Sequence, residues 1–182
     1  MIPESAEARS VRLYRAAEFP FKWEFVKNLL EGDFADSSVV RYKDLWWMFT
    51  CTKSKTSDEM RLFYSGSLLG PWISHPQNPI VNSDPSRARP GGRVLVLGDR
   101  ILRFAQDDTR TYGKAVRAFQ VTELTTTSYK EVALQPDPVL AATGRGWARH
   151  GMHHIDPVEV APGQWLAAVD GYKKNLKIRL EF

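Results

Sequence analysis

Cysteine is all but missing: Cys51 is the only one in 182 residues. A lone thiol excludes an internal disulfide and the multi-cysteine zinc clusters. It stands in the apolar run Trp46-Trp47-Met48-Phe49-Thr50-Cys51, where a buried, inert thiol is expected. Histidine is scarce as well, with four in all. The neighbours His153 and His154 would face opposite sides of a strand, and no third ligand stands at metal spacing. Neither a metal nor a cofactor is expected. No apolar run reaches the ~18 residues of a membrane-crossing helix, so no membrane span is expected. The segment Met1-Ile2-Pro3-Glu4-Ser5 lacks the charged and apolar regions of a secretory signal, which leaves the cytoplasm as the default expectation. A dominant charge is lacking too: 25 Lys and Arg against 21 Asp and Glu give +4, spread along the chain. The densest basic stretch, Lys173, Lys174, Lys177 and Arg179, reads as a solvated strand or tail, and no nucleic-acid partner is expected. There is no nucleophile elbow, Walker loop or dinucleotide fingerprint, and Gly91-Gly92 has neither the spacing nor the helix of a phosphate cradle.

Helix signals are equally poor. Only Ala16 to Leu30 could be argued helical, and Pro20 interrupts it. What the chain has instead is aromatic residues, 12% of the total. They lie in short runs with β-branched residues, punctuated about every eight to twelve residues by Gly, Pro, Asn and Asp, which is the all-β pattern. A repeat underlies it. Val11-Arg12-Leu13-Tyr14, Met60-Arg61-Leu62-Phe63-Tyr64 and Val116-Arg117-Ala118-Phe119 share a basic–apolar–aromatic form. Each leads through a turn to an aromatic strand: Trp23-Glu24-Phe25-Val26, Trp72-Ile73 and Tyr129-Lys130-Glu131-Val132. A strand opening with polar residues follows, at Asp36–Val40, Arg89–Val94 and His154–Val158, and then an apolar one at Leu45–Phe49, Ile101–Phe104 and Gln164–Val169. The period is roughly 50 to 60 residues with about four strands per unit, which is the signature of propeller blades. The expected fold is therefore all-β, a partial β-propeller of about three four-stranded blades. Its expected divisions are 1–34 (the end of one blade), 35–83 and 84–140 (a blade each), and 141–182 (the start of a further blade, with a strand over Leu176–Leu180). A sandwich is the alternative, though it would not repeat internally.

Several segments also run in a familiar order: Met1-Ile2-Pro3-Glu4-Ser5, Leu13-Tyr14-Arg15, Trp46-Trp47-Met48-Phe49, Leu69-Gly70-Pro71-Trp72, His75-Pro76, Ala88-Arg89-Pro90-Gly91-Gly92, Gln106-Asp107-Asp108, Tyr112-Gly113 and Gly151-Met152-His153-His154-Ile155-Asp156. Together they resemble the propeller domain beside the glycosyltransferase domain of plant glucosamine inositolphosphorylceramide transferases, also carried by bacterial stand-alone proteins and formyltransferase-like fusions. That domain is in turn similar to the five-bladed propellers of arabinanases, β-xylosidases and invertases. The resemblance runs from Met1 to about Gly171 and implies the same five-bladed type. Against the family pattern, the chain is expected to be truncated before Met1, without an earlier Asp-Pro strand.

In the similar glycosidases three carboxylates work together: a base or nucleophile, a general acid, and one that tunes the acid. The reaction needs two of them ~5 to 10 Å apart across the scissile bond. The candidates at the matching inner strands are Asp36 and Asp156, with Glu4 from the neighbouring blade. For each carboxylate a turn-capping or structural role is the alternative. Arg89 stands on the blade between Asp36 and Asp156 and is read as a clamp for a carboxylate, a phosphate or sugar hydroxyls, or else as a structural ion-pair partner. Asp107, Asp108 and Tyr112 follow an apolar strand, and at most one of the two Asp side chains points at any single site. His153, His154 and Trp47 complete the candidate substrate-binding set. For the histidines a structural role is the competing reading. One of Trp46 and Trp47 is expected in the core, with the other packing between blades or forming a sugar platform.

The favoured reading is a carbohydrate-recognising module, non-catalytic or a remnant of a glycan-processing protein. Two alternatives stay open: a glycoside hydrolase working through Asp36 and Asp156, and a structural or assembly subunit without a retained site. The expected partners are a glycan or sugar-containing ligand, and either a second copy or another chain covering the open ends of the stack.

Overall fold

The computed structural model describes residues 1–52 and 55–174. Apart from two short 3₁₀ turns, its regular structure is all strand, in four separate antiparallel sheets. The first is a hairpin of β1 (Ser10–Glu18) and β2 (Lys22–Glu31). The argument for a helix over Ala16–Leu30 fails here, because Phe19-Pro20-Phe21 turns the chain back and pairs Ala16 with Trp23. The second sheet runs in order β3 (Phe34–Tyr42), β4 (Leu45–Thr52), β5 (Glu59–Ser65) and β6 (Ile73–Ser74). The third is β7 (Leu95–Leu97), β8 (Arg100–Asp107), β9 (Ala115–Leu124) and β10 (Tyr129–Ala133), with β11 (Leu140–Ala141) continuing along the outer edge of β9. The fourth is a hairpin of β12 (Ile155–Ala161) and β13 (Gln164–Val169).

Strand β4 shows how the sheets stack. Its residues are apolar nearly throughout, and from Trp47 to Thr52 every one is buried, as in a strand covered on both faces. Side chains alternate across a strand, and the core follows that alternation. Trp47 and Phe49 face Ile101, Val121 and Tyr129 of the third sheet. Met48 faces the other way, onto Val11, Leu13 and Leu29 of the first hairpin. A third cluster, Phe104, Val116 and Ala118, packs against Leu140 and Ile155 and so joins the third sheet to the fourth. The second and third sheets are thus the covered interior of the stack.

Two expected strands differ from those observed. Trp72 lies outside β6, which is only Ile73–Ser74 after Pro71. Arg89–Val94 forms no strand: Pro90 has no N–H to donate, Gly92 sits at φ +149°, and the segment makes only isolated bridges, Pro90 to Ala105 and Gly92 to Ile155. A Cβ on Gly92 would run into the Ile155 carbonyl, so the fourth sheet docks through a position that only glycine fills. The strand expected over Leu176–Leu180 falls outside the described residues, as do Lys177 and Arg179.

Candidate functional site

A cleft of about 500 Å³ opens where β3, the Pro90–Arg93 segment and the N-terminal residues meet. Glu4, Asp36, Ser37, Trp46, Arg93 and His154 are among its walls. Asp36 is its best-defined group. The pairing of β3 with β4 slips between Ala35 and Ser38, and within that bulge Asp36 takes φ +48°, a conformation Asp tolerates better than most residues. Glu4 holds it there. One Glu4 oxygen accepts the Asp36 backbone N–H at 2.5 Å and the other accepts that of Ala6 at 2.8 Å. With both oxygens so engaged, Glu4 positions Asp36.

The Asp36 side chain is itself fixed on one side. Its Oδ2 accepts from Arg89 Nε at 2.6 Å and from Gln106 Nε2 at 2.7 Å. Its Oδ1 takes no hydrogen bond from the described residues and is not buried, so it is open to the cleft that Asp36 lines. Arg89 also donates to Ser57 Oγ at 3.2 Å, and its guanidinium lies 5.1 Å from the Tyr112 ring centre. Burial works against the Arg89 charge, but the Asp36 carboxylate outweighs it and raises the guanidinium pKa further. The contacts run on. The Tyr112 ring stands 5.0 Å from that of His153, and His153 Nδ1 lies 2.6 Å from Asp170 Oδ2. The other Asp170 oxygen accepts the backbone N–H groups of His153 and His154, at 3.0 and 2.8 Å. Burial pushes the Tyr112 phenol up, and the nearby carboxylates of Asp36, Asp108 and Asp170 add to that against the opposing pull of Arg89.

The expected candidates therefore separate. Asp36, Arg89, Tyr112 and His153 form one continuous chain of contacts, with Glu4 behind Asp36 and His154 at the cleft wall. The two neighbouring aspartates divide where β8 ends. Asp108 lies within electrostatic reach of Tyr112, while Asp107 turns to Thr109 and Arg117. Burial tends to raise the Asp107 carboxyl pKa, and the Thr109 and Arg117 bonds overcome it and hold it low. Asp156 does not join Asp36: it pairs with Arg93 at 2.9 Å. Trp47 is 2% exposed, so it is core, and Trp46 is the tryptophan at the cleft. Asp170 and Arg93 join these residues without having been singled out, and Gln106, noted beside Asp107 and Asp108, had been given no role of its own. The signal for Asp170 was its place just past β13, which matches that of Asp108 just past β8. Gln106 Oε1 and Asp108 Oδ2 are buried without a partner among the described residues. No group of three or more His, Cys, Asp or Glu side chains among the described residues is arranged to hold a metal.

Residues 1–172 match the family described as "Glucosamine inositolphosphorylceramide transferase 1, N-terminal". The chain is 40% identical over 177 residues to glucosamine inositolphosphorylceramide transferase 1 of Oryza sativa subsp. japonica, covering 94% of this chain and 24% of that one. It is 32% identical over 177 residues to the Arabidopsis thaliana protein of the same name, covering 94% of this chain and 23% of that one. The chain thus spans about a quarter of the length of the curated relatives it matches. With residues 1–172 matched, the chain belongs to the family of glucosamine inositolphosphorylceramide transferase 1 N-terminal domains.

Proposed function

We propose that this domain is a non-catalytic carbohydrate-recognising module that accompanies a glycosyl-transfer reaction, with the Asp36 cleft as its binding site. The observation that carries the reading is the Asp36 carboxylate, one oxygen clamped by Arg89 and Gln106 and the other open to the cleft. A fixed, charged acceptor of this kind suits a sugar hydroxyl or amine, because charge-assisted hydrogen bonds are short and strong. Trp46 on the same wall offers an amphipathic ring for the apolar face of a sugar. The names of the relatives supply the first probes, glucosamine and inositol. Hydrolysis fits less well. It needs two available carboxyl groups flanking one bond, whereas Glu4 is engaged through both oxygens and Asp156 is paired with Arg93.

The proposal includes a partial β-propeller architecture. Its support is the succession of antiparallel sheets packed on one another, with Asp36 on the first strand of one of them. It also includes a partner surface over the β12–β13 hairpin, either a second copy or another chain, since Val158, Val160 and Leu166 there are exposed.

A glycan array followed by titration of the best ligand tests the site. Asp36→Asn keeps the shape of the side chain and removes the charged acceptor. It is expected to weaken binding by about 1.5–3 kcal/mol, the worth of a hydrogen bond to a charged group. An unchanged affinity in a folded Asp36→Asn protein would remove the site from this cleft, and turnover of an array glycan would favour the hydrolase reading.

A further inference from the structure

The β1–β2 hairpin ends in residues for which the fold has no use. Phe19 and Phe21 flank Pro20 at its turn and are 77% and 85% exposed. Behind them Phe25 is 55% exposed, and Trp23 donates its indole N–H to the Pro20 carbonyl at 2.9 Å. From Lys22 to Lys27 both strand faces are largely open to solvent, Trp23 alone being half-buried, whereas Leu29 near the far end of β2 is in the core. The distal half of the hairpin therefore stands clear of the body. With about five residues per strand at ~3.3 Å each, it reaches on the order of 15 Å. Sequence alone gave Trp23 and Phe25 a strand role, yet an internal strand would have buried one face.

We propose that this tip docks the domain onto a phospholipid bilayer, placing Phe19 and Phe21 at the level of the headgroups with Trp23 and Lys22 behind them. Three observations favour lipid over protein. The first is area. Three partly exposed phenylalanines at ~150–250 Å² each offer roughly 400–500 Å², against the ~800 Å² per partner of a stable protein interface. The second is shape, since the apolar groups sit at the apex of a narrow projection and not on a broad face. The third is layering. The apex Phe19-Pro20-Phe21 is purely apolar, the Glu18–Lys22 pair and an indole with its N–H satisfied come next, and Arg15, Glu24 and Lys27 lie level with the indole or behind, an apolar tip backed by amphipathic and charged groups as in an interfacial segment. The charges nearly cancel: Arg15, Lys22 and Lys27 stand against Glu18 and Glu24, with Arg15 and Glu24 paired at 3.1 Å. Binding is therefore apolar in origin, largely indifferent to anionic lipid and to salt. This inference does not depend on what occupies the Asp36 cleft.

The test is flotation of the full chain with phosphatidylcholine vesicles, with and without one-fifth phosphatidylserine, at low and high sodium chloride. The wild-type chain is expected to float with both vesicle types at both salt concentrations. The double variant Phe19→Ser, Phe21→Ser is expected to partition about tenfold more weakly or worse, with an unchanged melting temperature because neither ring packs in the core. Absence of wild-type flotation overturns the proposal, as does equal flotation of the variant. Flotation confined to anionic vesicles and abolished by salt overturns the apolar mechanism. A light-scattering mass that falls in the variant would assign the tip to a protein contact instead.

Discussion

At the level of single residues, the candidate site is organised around one carboxylate whose two oxygens have different surroundings. Arg89 and Gln106 hold Asp36 Oδ2, and the bulge in β3 together with Glu4 sets the backbone that presents Oδ1. Just beneath the site, Cys51 is fully buried, and burial pushes its thiol up to about 12, partly offset by Arg89. The thiolate is the reactive form. At pH 8 the native protein is therefore expected to give no reaction with a thiol-specific chromogenic disulfide over hours and to release one equivalent on unfolding. Fast labelling of the native state would mean that the strand packing over Cys51 opens readily.

At the level of strands, a charged network sits inside the third sheet. Arg103 on β8 is fully buried and donates through Nε and Nη2 to the two oxygens of Glu131 on β10, at 2.8 and 2.7 Å. Tyr129 donates to the same carboxylate at 2.5 Å, and Arg103 reaches the Arg87 carbonyl at 2.9 Å. Burial alone would raise the Glu131 carboxyl pKa, but Arg103 more than compensates and holds it below its ordinary value. A buried pair broken on one side strands the other charge, at a cost of about 3–5 kcal/mol. Glu131→Gln is accordingly expected to lower stability by that order in denaturant titration. The sign in pH follows from the depressed folded pKa: the Glu131 contribution is complete above the ordinary value of 4.5 and is lost as pH falls below it. The wild-type protein should therefore destabilise across that acid window more steeply than the variant. Equal slopes would show that other carboxylates dominate acid unfolding.

At the level of the whole molecule, the ends of the stack differ from its middle. The second and third sheets are covered on both faces, while β12 and β13 present Val158, Val160, Trp165 and Leu166 to solvent. Apolar faces of this kind associate, so light scattering at micromolar concentration is expected to give a mass above that of one chain. Substituting Leu166→Lys and Val160→Lys should return the mass to that of a single chain. A monodisperse single-chain mass for the wild-type protein would show that the hairpin face is tolerated in the open.

The amino-acid sequence by itself determined the local order of this protein. Alternating aromatic and β-branched runs, cut by Gly, Pro and Asn, already placed β4, β5, β8 and β9, because a strand's period and its turns are properties of adjacent residues. It also brought forward Asp36, Arg89, Tyr112 and His153, since polar residues opening or closing such strands stand out. Tertiary structure decided how they combine. Arg89 and Gln106 lie 53 and 70 residues from the carboxylate they clamp, and no local pattern encodes a contact across sheets. The same holds for Trp46 and Trp47, where one residue's difference in register sends one ring to the cleft and the other into the core. Asp156 likewise read as the equal of Asp36 until the fold set it beside Arg93. The exposure of Phe19 and Phe21 is also tertiary, because an aromatic residue is apolar in any sequence and only the packing of its neighbours decides whether it finds a core.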